Sequence, residues 1–411
     1  MSLEPPVIPD DLVLPPGAGG RIVLLVLDGL GGLPDPERGM TALEAARTPH
    51  MDELAGRSSL GLHHPVGPGV TPGSGPGHLA LFGYDPIRYQ VGRGALSALG
   101  VGFPLRAGDV AIRLNLAALD DDGRITDRRA GRPTDEEALR VVERLRSGIQ
   151  LGWPDVEFFL EAEKDHRVVL VFRGAGLGAL LRDTDPQTTG VPPLEPAVLP
   201  GVEDAASERT VTVLSRFLDR ARQILADEPV IRGLLARGYA RYEGFPSVKD
   251  RFGLRAAAWA RYPMYRGVAR LVGMEAPVEP ASDEEALAAM EAAASDFDFH
   301  FLHVKGPDAR GEDGDFEGRV AAIEAADAWI PRIMATGPRV LLVTGDHSTP
   351  ALMKAHSWHS VPVLLHSPFA RAGAAVFHET ACRSGDLGTL EGRHLMTLAL
   401  AHAGRLAKYG A

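Results

Sequence analysis

Four short apolar runs constrain this chain more than anything else in it: Ile22–Leu27, Phe299–Val304, Arg339–Val343 and Val361–Leu365. Runs of this length without regular polar alternation suit strands buried on both faces, as in parallel sheets. Helical patterns lie between them. Ser282-Asp-Glu-Glu285 reads as a capping box opening a helix through Ala294. Apolar residues at Val320, Ile323, Ala326, Ile330 and Ile333 predict a helix over 318–335. The alternation predicts an α/β fold with a mainly parallel sheet and helices on both faces. The first run stands far from the other three, and the chain between has a different texture. Asp120-Asp-Asp-Gly123 marks a hairpin, Thr134-Asp-Glu-Glu137 a capped helix and Val168–Phe172 a strand, while the Pro-rich stretch 192–200 reads as a linker. The expectation is a core domain, 1–105 and 201–411, interrupted by a smaller inserted α+β domain at 106–200. Thr210–Ala226 is then a helix leading back to the core.

A length of 411 residues favours two domains. The 43 basic against 54 acidic residues leave a net charge of −11, which argues against nucleic-acid and anionic-membrane partners. A single cysteine, Cys382, excludes an intramolecular disulfide and fits a reducing compartment. No apolar stretch approaches the roughly 20 residues needed to span a bilayer. Residues 1–20 lack the basic start and apolar run of a signal peptide. These features predict a soluble, cytoplasmic protein and leave its oligomeric state open.

In open α/β sheets, ligands bind beyond the carboxyl ends of the strands, and this is where the chain concentrates metal-type ligands. The first run ends at Asp28. The second continues through Lys305-Gly-Pro to Asp308, with Glu312 four residues on. The third continues to Asp346-His347, and His356 precedes the fourth. Imidazole with carboxylate suits a Zn, Mn or Mg-type centre. In Thr71-Pro-Gly-Ser-Gly-Pro-Gly-His78, Ser74 occupies a Gly/Pro-rich turn before an apolar stretch, Leu79–Tyr84. A helix N-terminus there favours an anion, and together with a metal it favours an ionised serine nucleophile. The competing role is an ordinary N-cap serine. His63, His64 and the other scattered histidines read as surface residues.

These residues carry a family resemblance. Val26–Gly31, Thr48-Pro-His-Met-Asp52, Thr71–Leu79, Leu81–Pro86, Gly92-Arg-Gly94, His303–Asp308 and Thr344-Gly-Asp-His-Ser-Thr-Pro350 resemble the archaeal-type cofactor-independent phosphoglycerate mutases of the alkaline phosphatase superfamily. The resemblance spans about Ile22 to Ala401. It implies an alkaline-phosphatase-like core, two divalent metal ions (Mn2+ or Mg2+, with Zn2+ as a further option), a phosphoserine intermediate at Ser74 and no bisphosphoglycerate cofactor. By motif, Asp28, Ser74, Asp346 and His347 would hold one metal, and Asp308, Glu312 and His356 the other. His356 is preferred to His359 because the family spaces this ligand six residues before a proline that here is Pro362. The chain departs from the family at Glu312, where a histidine is usual, and at Ser97, where an acidic residue is usual. A carboxylate at 312 hardens the site toward Mg or Mn. The return segment Gly238–Gly244 looks shortened.

The substrate class implied is a small phosphorylated metabolite, whose anionic groups call for the planar fork of arginine. Candidates are Arg113, Arg128, Arg129, Arg132 and Arg182, joined by Lys305 beside the ligand loop. Arg182-Asp-Thr-Asp-Pro186 resembles a substrate-binding stretch of the wider mutase family, making Asp183 the candidate proton-transferring acid and base. The inserted domain would cover the substrate and exclude water. Two other functions compete: a metal-dependent phosphatase or phosphotransferase on another small phosphorylated metabolite, and a protein that has lost catalysis through the change at 312.

Overall fold

The computed structural model describes residues 8–9, 12–89, 92–371 and 373–410. Part of the N-terminal stretch tested for a signal peptide (1–7, 10 and 11) lies outside the described residues. No helix among those described is long and apolar enough to cross a membrane. The chain divides into two compact units, residues 1–90 with 246–411, and residues 91–245. In chain order the strands are β1 (Ile22–Leu27), β2 (Ser58–His64), β3 (Val110–Leu119), β4 (Ile125–Asp127), β5 (Val156–Lys164), β6 (Arg167–Gly174), β7 (Ile231–Arg241), β8 (Ala256–Ala260), β9 (Phe299–Val304), β10 (Val340–Thr344), β11 (Val361–His366) and β12 (Gly388–Glu391).

The first unit is built on a seven-stranded sheet in the order β12-β2-β11-β10-β1-β9-β8. β1 pairs in parallel with β9 and β10, β8 with β9, and β12 with β2. Only β11 runs against its neighbours, so the sheet is mainly parallel. The four apolar runs are four of its strands. Every residue of β1, β9 and β10 is buried, which is why these strands show no alternation. Val23, Leu25 and Leu27 pack into a core with Leu302, Leu341 and Val343 from the neighbouring strands and Leu54, Leu287 and Ile323 from helices. Each such buried aliphatic side chain contributes roughly 1.5–3 kcal/mol. The centre of this sheet is thereby a rigid base for the loops at its carboxyl end.

Local signals held where they depend on near neighbours in the chain. Ser282 caps Asp283–Ala292 by accepting from Glu285 N, and Thr134 and Glu137 form a reciprocal capping box on Asp135–Gly148. The long helix expected over 318–335 is broken into Phe316–Asp327 and Ile330–Ala335. Pro331 explains the break, since it lacks an N–H and clashes with the preceding turn.

The second unit is an antiparallel five-stranded sheet. β7 pairs with one edge of β3, while β6 and β4 share the other. One face carries the helices Asp135–Gly148 and Ala205–Ile224, whose Val141, Leu145, Leu214 and Phe217 share a core with Ile112, Leu114 and Leu170. The helix Arg93–Gly100 packs on the other face through Ala95 and Ala98 against Ala111, Val169 and Val171. The unit is therefore longer at both ends than 106–200. The helix expected to lead back to the core belongs to this unit. Of the segment Gly238–Gly244, Gly238–Arg241 completes β7 and the rest follows it. The supposed linker 192–200 is tied in by backbone bonds from Leu194 N to Thr184 O and Leu199 N to Leu180 O. These packings link residues a hundred positions apart, which composition along the chain does not reveal.

Candidate active site

Asp28 directly follows β1, Asp346 and His347 follow β10, and Asp308 lies in the first turn of the helix Gly306–Asp313 after β9. Because β1, β9 and β10 are adjacent and parallel, their ends bring all four side chains together, and all four are fully buried. Ser74 opens the helix Ser74–Leu81, with Gly73 as its N-cap, so it is not the capping serine. Its helix lies hard against the Asp346 loop: a Cβ on Gly77 would stand 2.3 Å from Asp346 O. His78, one turn on, donates from Nδ1 to Ser74 O at 2.7 Å and fixes the turn.

Two groups among the described residues bring three ligand atoms within 4.8 Å of one another: Asp28, Asp346 and His347, and Asp308, His347 and His356. Hydrogen bonding decides how the imidazoles present themselves. Thr349 Oγ1 gives its one proton to Asp308 Oδ1 (2.6 Å), so it accepts from His347 Nδ1 (2.9 Å). In the neutral ring, His347 Nε2 then carries a lone pair. It faces Asp28 Oδ1, Asp346 Oδ2 and Ser74 Oγ, each at 3.3 Å. His356 repeats the pattern: Nδ1 donates to Pro72 O at 3.0 Å, and Nε2 faces Asp308 Oδ1 at 3.6 Å and Glu312 Oε1 at 3.7 Å. The two rings stack at 3.6 Å. A lone pair aimed at carboxylate oxygens is repulsive unless a cation lies between them. Asp28 Oδ1 is buried without a hydrogen-bond partner, which leaves it for such a cation; Asp346 Oδ2 also faces it, with His78 Nδ1 3.2 Å away on its other side. The residues present thus fit divalent metal binding. Since His347 Nδ1 is committed to Thr349, its Nε2 serves the first group.

The other oxygens of the aspartates are occupied. Asp28 Oδ2 accepts from the Tyr265 hydroxyl and lies 3.3 Å from His303 Nε2 and 3.1 Å from Lys305 Nζ. Lys305 also bonds Asp308 Oδ2. Burial alone would raise the Asp28 carboxyl, but the His303 hydrogen bond and the charge of Lys305 hold it well below the ordinary range. Burial would likewise lower the Lys305 ammonium, but Asp28 and Asp308 hold it above its ordinary value. Glu312 stands at the rim, its side chain 54% exposed.

Sequence reasoning missed Thr349, Tyr265, His78 and His303. Three of them lie inside or beside the quoted motifs, but only the fold shows what they touch. Reading the scattered histidines as surface residues is corrected here. His63, His78, His300 and His303 are buried, and His63 donates from Nε2 to Gly345 O at 3.1 Å.

The candidate arginines lie in the second unit. Arg113, Arg128, Arg129 and Arg132 line one cavity of about 280 Å³, together with Arg93, Arg167 and Arg237. Arg128 is neutralised by a bidentate pair with Asp185, both bonds 2.7 Å. Arg113 lies 3.8 Å from Glu163, to which Ser97 also donates at 3.1 Å. Arg93, Arg129, Arg132 and Arg167 have no carboxylate at ion-pair distance among the described residues, and such a cluster calls for an anion. Ala130 and Arg132 adopt left-handed φ of 47° and 57°, while Asp127 holds the loop through Arg129 N and Gly131 N. Backbone strain of this kind concentrates at binding sites. His166 in the same cavity is pushed down to about 4 by burial and by Arg167, Arg129 and Arg113, so it is neutral at physiological pH. Arg182 does not line the cavity. It is exposed and donates to Glu195 O at 3.2 Å, because the chain turns its side chain outward after Leu181. Asp183 is half-buried and accepts from Gly238 N at 3.0 Å.

Comparison with known proteins gives one consistent result. Residues 55–231 match the 2,3-bisphosphoglycerate-independent phosphoglycerate mutase family. A Thermus thermophilus protein named "probable 2,3-bisphosphoglycerate-independent phosphoglycerate mutase" is 54% identical over 395 residues, covering 95% of this chain and 96% of its own. A Thermotoga neapolitana protein of the same name is 47% identical over 392 residues, with the same coverages. Among solved structures, a Pyrococcus horikoshii protein aligns with a TM-score of 0.80 at 28% identity, over 96% of this chain and 100% of that one. The cofactor-independent phosphoglycerate mutase of Thermoplasma acidophilum aligns with a TM-score of 0.72 at 28% identity, over 94% and 100%. With near-complete coverage at 54% identity, and with strand-end carboxylates and imidazoles disposed as its motifs require, the chain belongs to the 2,3-bisphosphoglycerate-independent phosphoglycerate mutase family.

Proposed function

We propose that the protein interconverts 3-phosphoglycerate and 2-phosphoglycerate through a phosphoserine at Ser74, without 2,3-bisphosphoglycerate. The observation that carries this is the Ser74 hydroxyl at a helix N-terminus, 3.3 Å from the unprotonated nitrogen of His347 that faces Asp28 and Asp346. Asp28, Ser74, Asp346 and His347 would hold one divalent cation, and Asp308, Glu312 and His356 the other. An oxygen-rich donor set suits Mn2+ or Mg2+ ahead of Zn2+. Bound cations would lower the serine pKa and offset charge on the phosphoryl oxygens.

Ser74 Oγ, as the alkoxide, would attack phosphorus as the bond from phosphorus to the glycerate oxygen breaks, and Asp183 would give its proton to that oxygen. The other hydroxyl of the same glycerate then attacks the phosphoserine, Asp183 takes its proton back, and Ser74 is released. The arginine cavity of the second unit would hold the anionic substrate through Arg93, Arg113, Arg129, Arg132 and Arg167, with Arg128 shaping the loop. Lys305, whose ammonium stands between Asp28 and Asp308, is the remaining substrate contact in this reading. Cytoplasmic placement is part of the same reading, supported by the lone buried thiol. The relatives' names support transfer over hydrolysis.

The test is conversion of labelled 3-phosphoglycerate. Wild type should form 2-phosphoglycerate and trap label on serine, while Ser74→Ala should lose about 10³-fold or more in turnover. Exhaustive chelation should abolish conversion and added Mn2+ restore it. Wild-type-like turnover in Ser74→Ala, or full activity in metal-free protein, sinks the proposal. Free phosphate as the main product would favour the phosphatase.

A further inference from the structure

We propose that Arg319 is a positioning residue for the metal centre, a single guanidinium that sets the two loops carrying its ligands. This inference rests on the metal-centre reading above. Arg319 lies in the helix Phe316–Asp327 and is 1% exposed. The two N–H bonds of its Nη2 are shared among Gly29 O at 2.6 Å, Leu30 O at 2.7 Å and Gly31 O at 2.8 Å, and its Nη1 donates to Thr349 O. Three successive carbonyls turned toward one point repel one another unless a strong donor sits at their focus. The turn that makes this possible begins at Asp28, and Gly29 adopts a left-handed φ of +66° that side chains resist.

The guanidinium holds two loops at once. Gly29 N donates to Asp346 Oδ1 at 3.1 Å, so the turn that Arg319 grips also orients Asp346. Thr349, gripped through its carbonyl, is the residue whose hydroxyl fixes Asp308 and sets the tautomer of His347. Thr349 N closes the arrangement onto Gly29 O at 3.2 Å and Gly31 O at 3.0 Å. Asp308, Asp346 and His347 therefore each bond to a residue whose backbone Arg319 clamps, and Asp28 directly precedes the clamped turn, although Arg319 forms an ion pair with none of them.

A purely structural role explains this less well. Burying an arginine is costly, and buried arginines normally pair with a carboxylate. Arg319 has no carboxylate at ion-pair distance among the described residues, and burial lowers its pKa to about 10, so it stays charged at neutral pH. The fixed cation also offsets the buried charges of Glu379, Asp308 and Asp28.

Metal titration of the full-length protein separates the two roles. Calorimetry with Mn2+ on wild type, Arg319→Met and Arg319→Lys is compared with Ile323→Ala, which lies on the same helix and deletes fully buried core. Arg319→Met should weaken Mn2+ binding about 10- to 100-fold, as loss of a ligand-orienting partner does. Arg319→Lys should lose less, since an ammonium offers three donors to four carbonyls. Ile323→Ala should lower the melting temperature yet keep wild-type affinity. With Co2+ as probe, the visible absorption bands should shift in the Arg319 variants alone. Should Arg319→Met fail to fold, Arg319→Lys decides by the same two readouts. Wild-type affinity and spectrum in the folded Arg319 variants, or equal losses in Ile323→Ala, overturn the inference. A wild type that binds no Mn2+ overturns the metal-centre reading instead.

Discussion

Position 312 carries a carboxylate where the family resemblance places an imidazole, and its Oε1 lies 3.7 Å from His356 Nε2. With its side chain 54% exposed, an electrostatic pairing with His356 alone would contribute little. As a ligand it would matter more. Glu312→Ala should therefore weaken the second Mn2+ equivalent about 10-fold, and Glu312→His should retain most of the affinity. Equal calorimetric affinities in all three proteins would take Glu312 off the site. At this scale much of the site was legible in sequence: Asp28, Asp308, Asp346, His347 and Ser74 announce themselves by following apolar runs or a Gly/Pro turn. Thr349, Tyr265 and Arg319 were not legible, because what they do is set largely by hydrogen bonds to residues from 30 to 290 positions away.

Among the elements, the helix Asp135–Gly148 is fastened to the turn before β7 by one carboxylate. Glu228, its side chain 4% exposed, accepts from Arg140 at 2.8 and 2.7 Å and from Arg144 at 2.6 Å. The Arg140 bonds, against burial and helped by Arg144, hold Glu228 at about 2, below its ordinary 4.5. A carboxyl depressed on folding contributes stability above its unfolded pKa and loses it as pH falls through the folded one. The window here is about 4.5 to 2. Glu228→Gln should cost about 1–2 kcal/mol at pH 7, discounted because both guanidiniums reach water. Urea midpoints of mutant and wild type should converge as pH falls from 5 to 3. A gap that does not change with pH would show that the ion pairs are not its source. Secondary structure was legible wherever its cause is local, as in the capping box at Thr134, whereas the break at Pro331 shows a periodic pattern overruled by one ring.

In the whole molecule, residues 91–245 form a continuous segment with its own sheet and core, while the first unit is assembled from both sides of it. A fragment of 91–245 should fold alone and unfold in one cooperative step, checked by calorimetry and circular dichroism. A broad, non-cooperative melt would mean that its core depends on the rest of the chain. The sequence by itself determined the α/β class, the buried strands, the helix caps and the ligand-type residues, because each rests on hydrophobic runs or polar residues close together in the chain. Only the tertiary structure decided the limits of the second unit, since β3 and β7 pair as Val110 with Arg241 across more than a hundred residues. It alone brought Arg93, Arg167 and Arg237 to the cavity with Arg113. It also turned the lone pairs of His347 and His356 toward carboxylates, through Thr349 and the carbonyl of Pro72. The physical reason is the same in each case: where a proton or an arginine points depends on partners that folding, not sequence proximity, supplies.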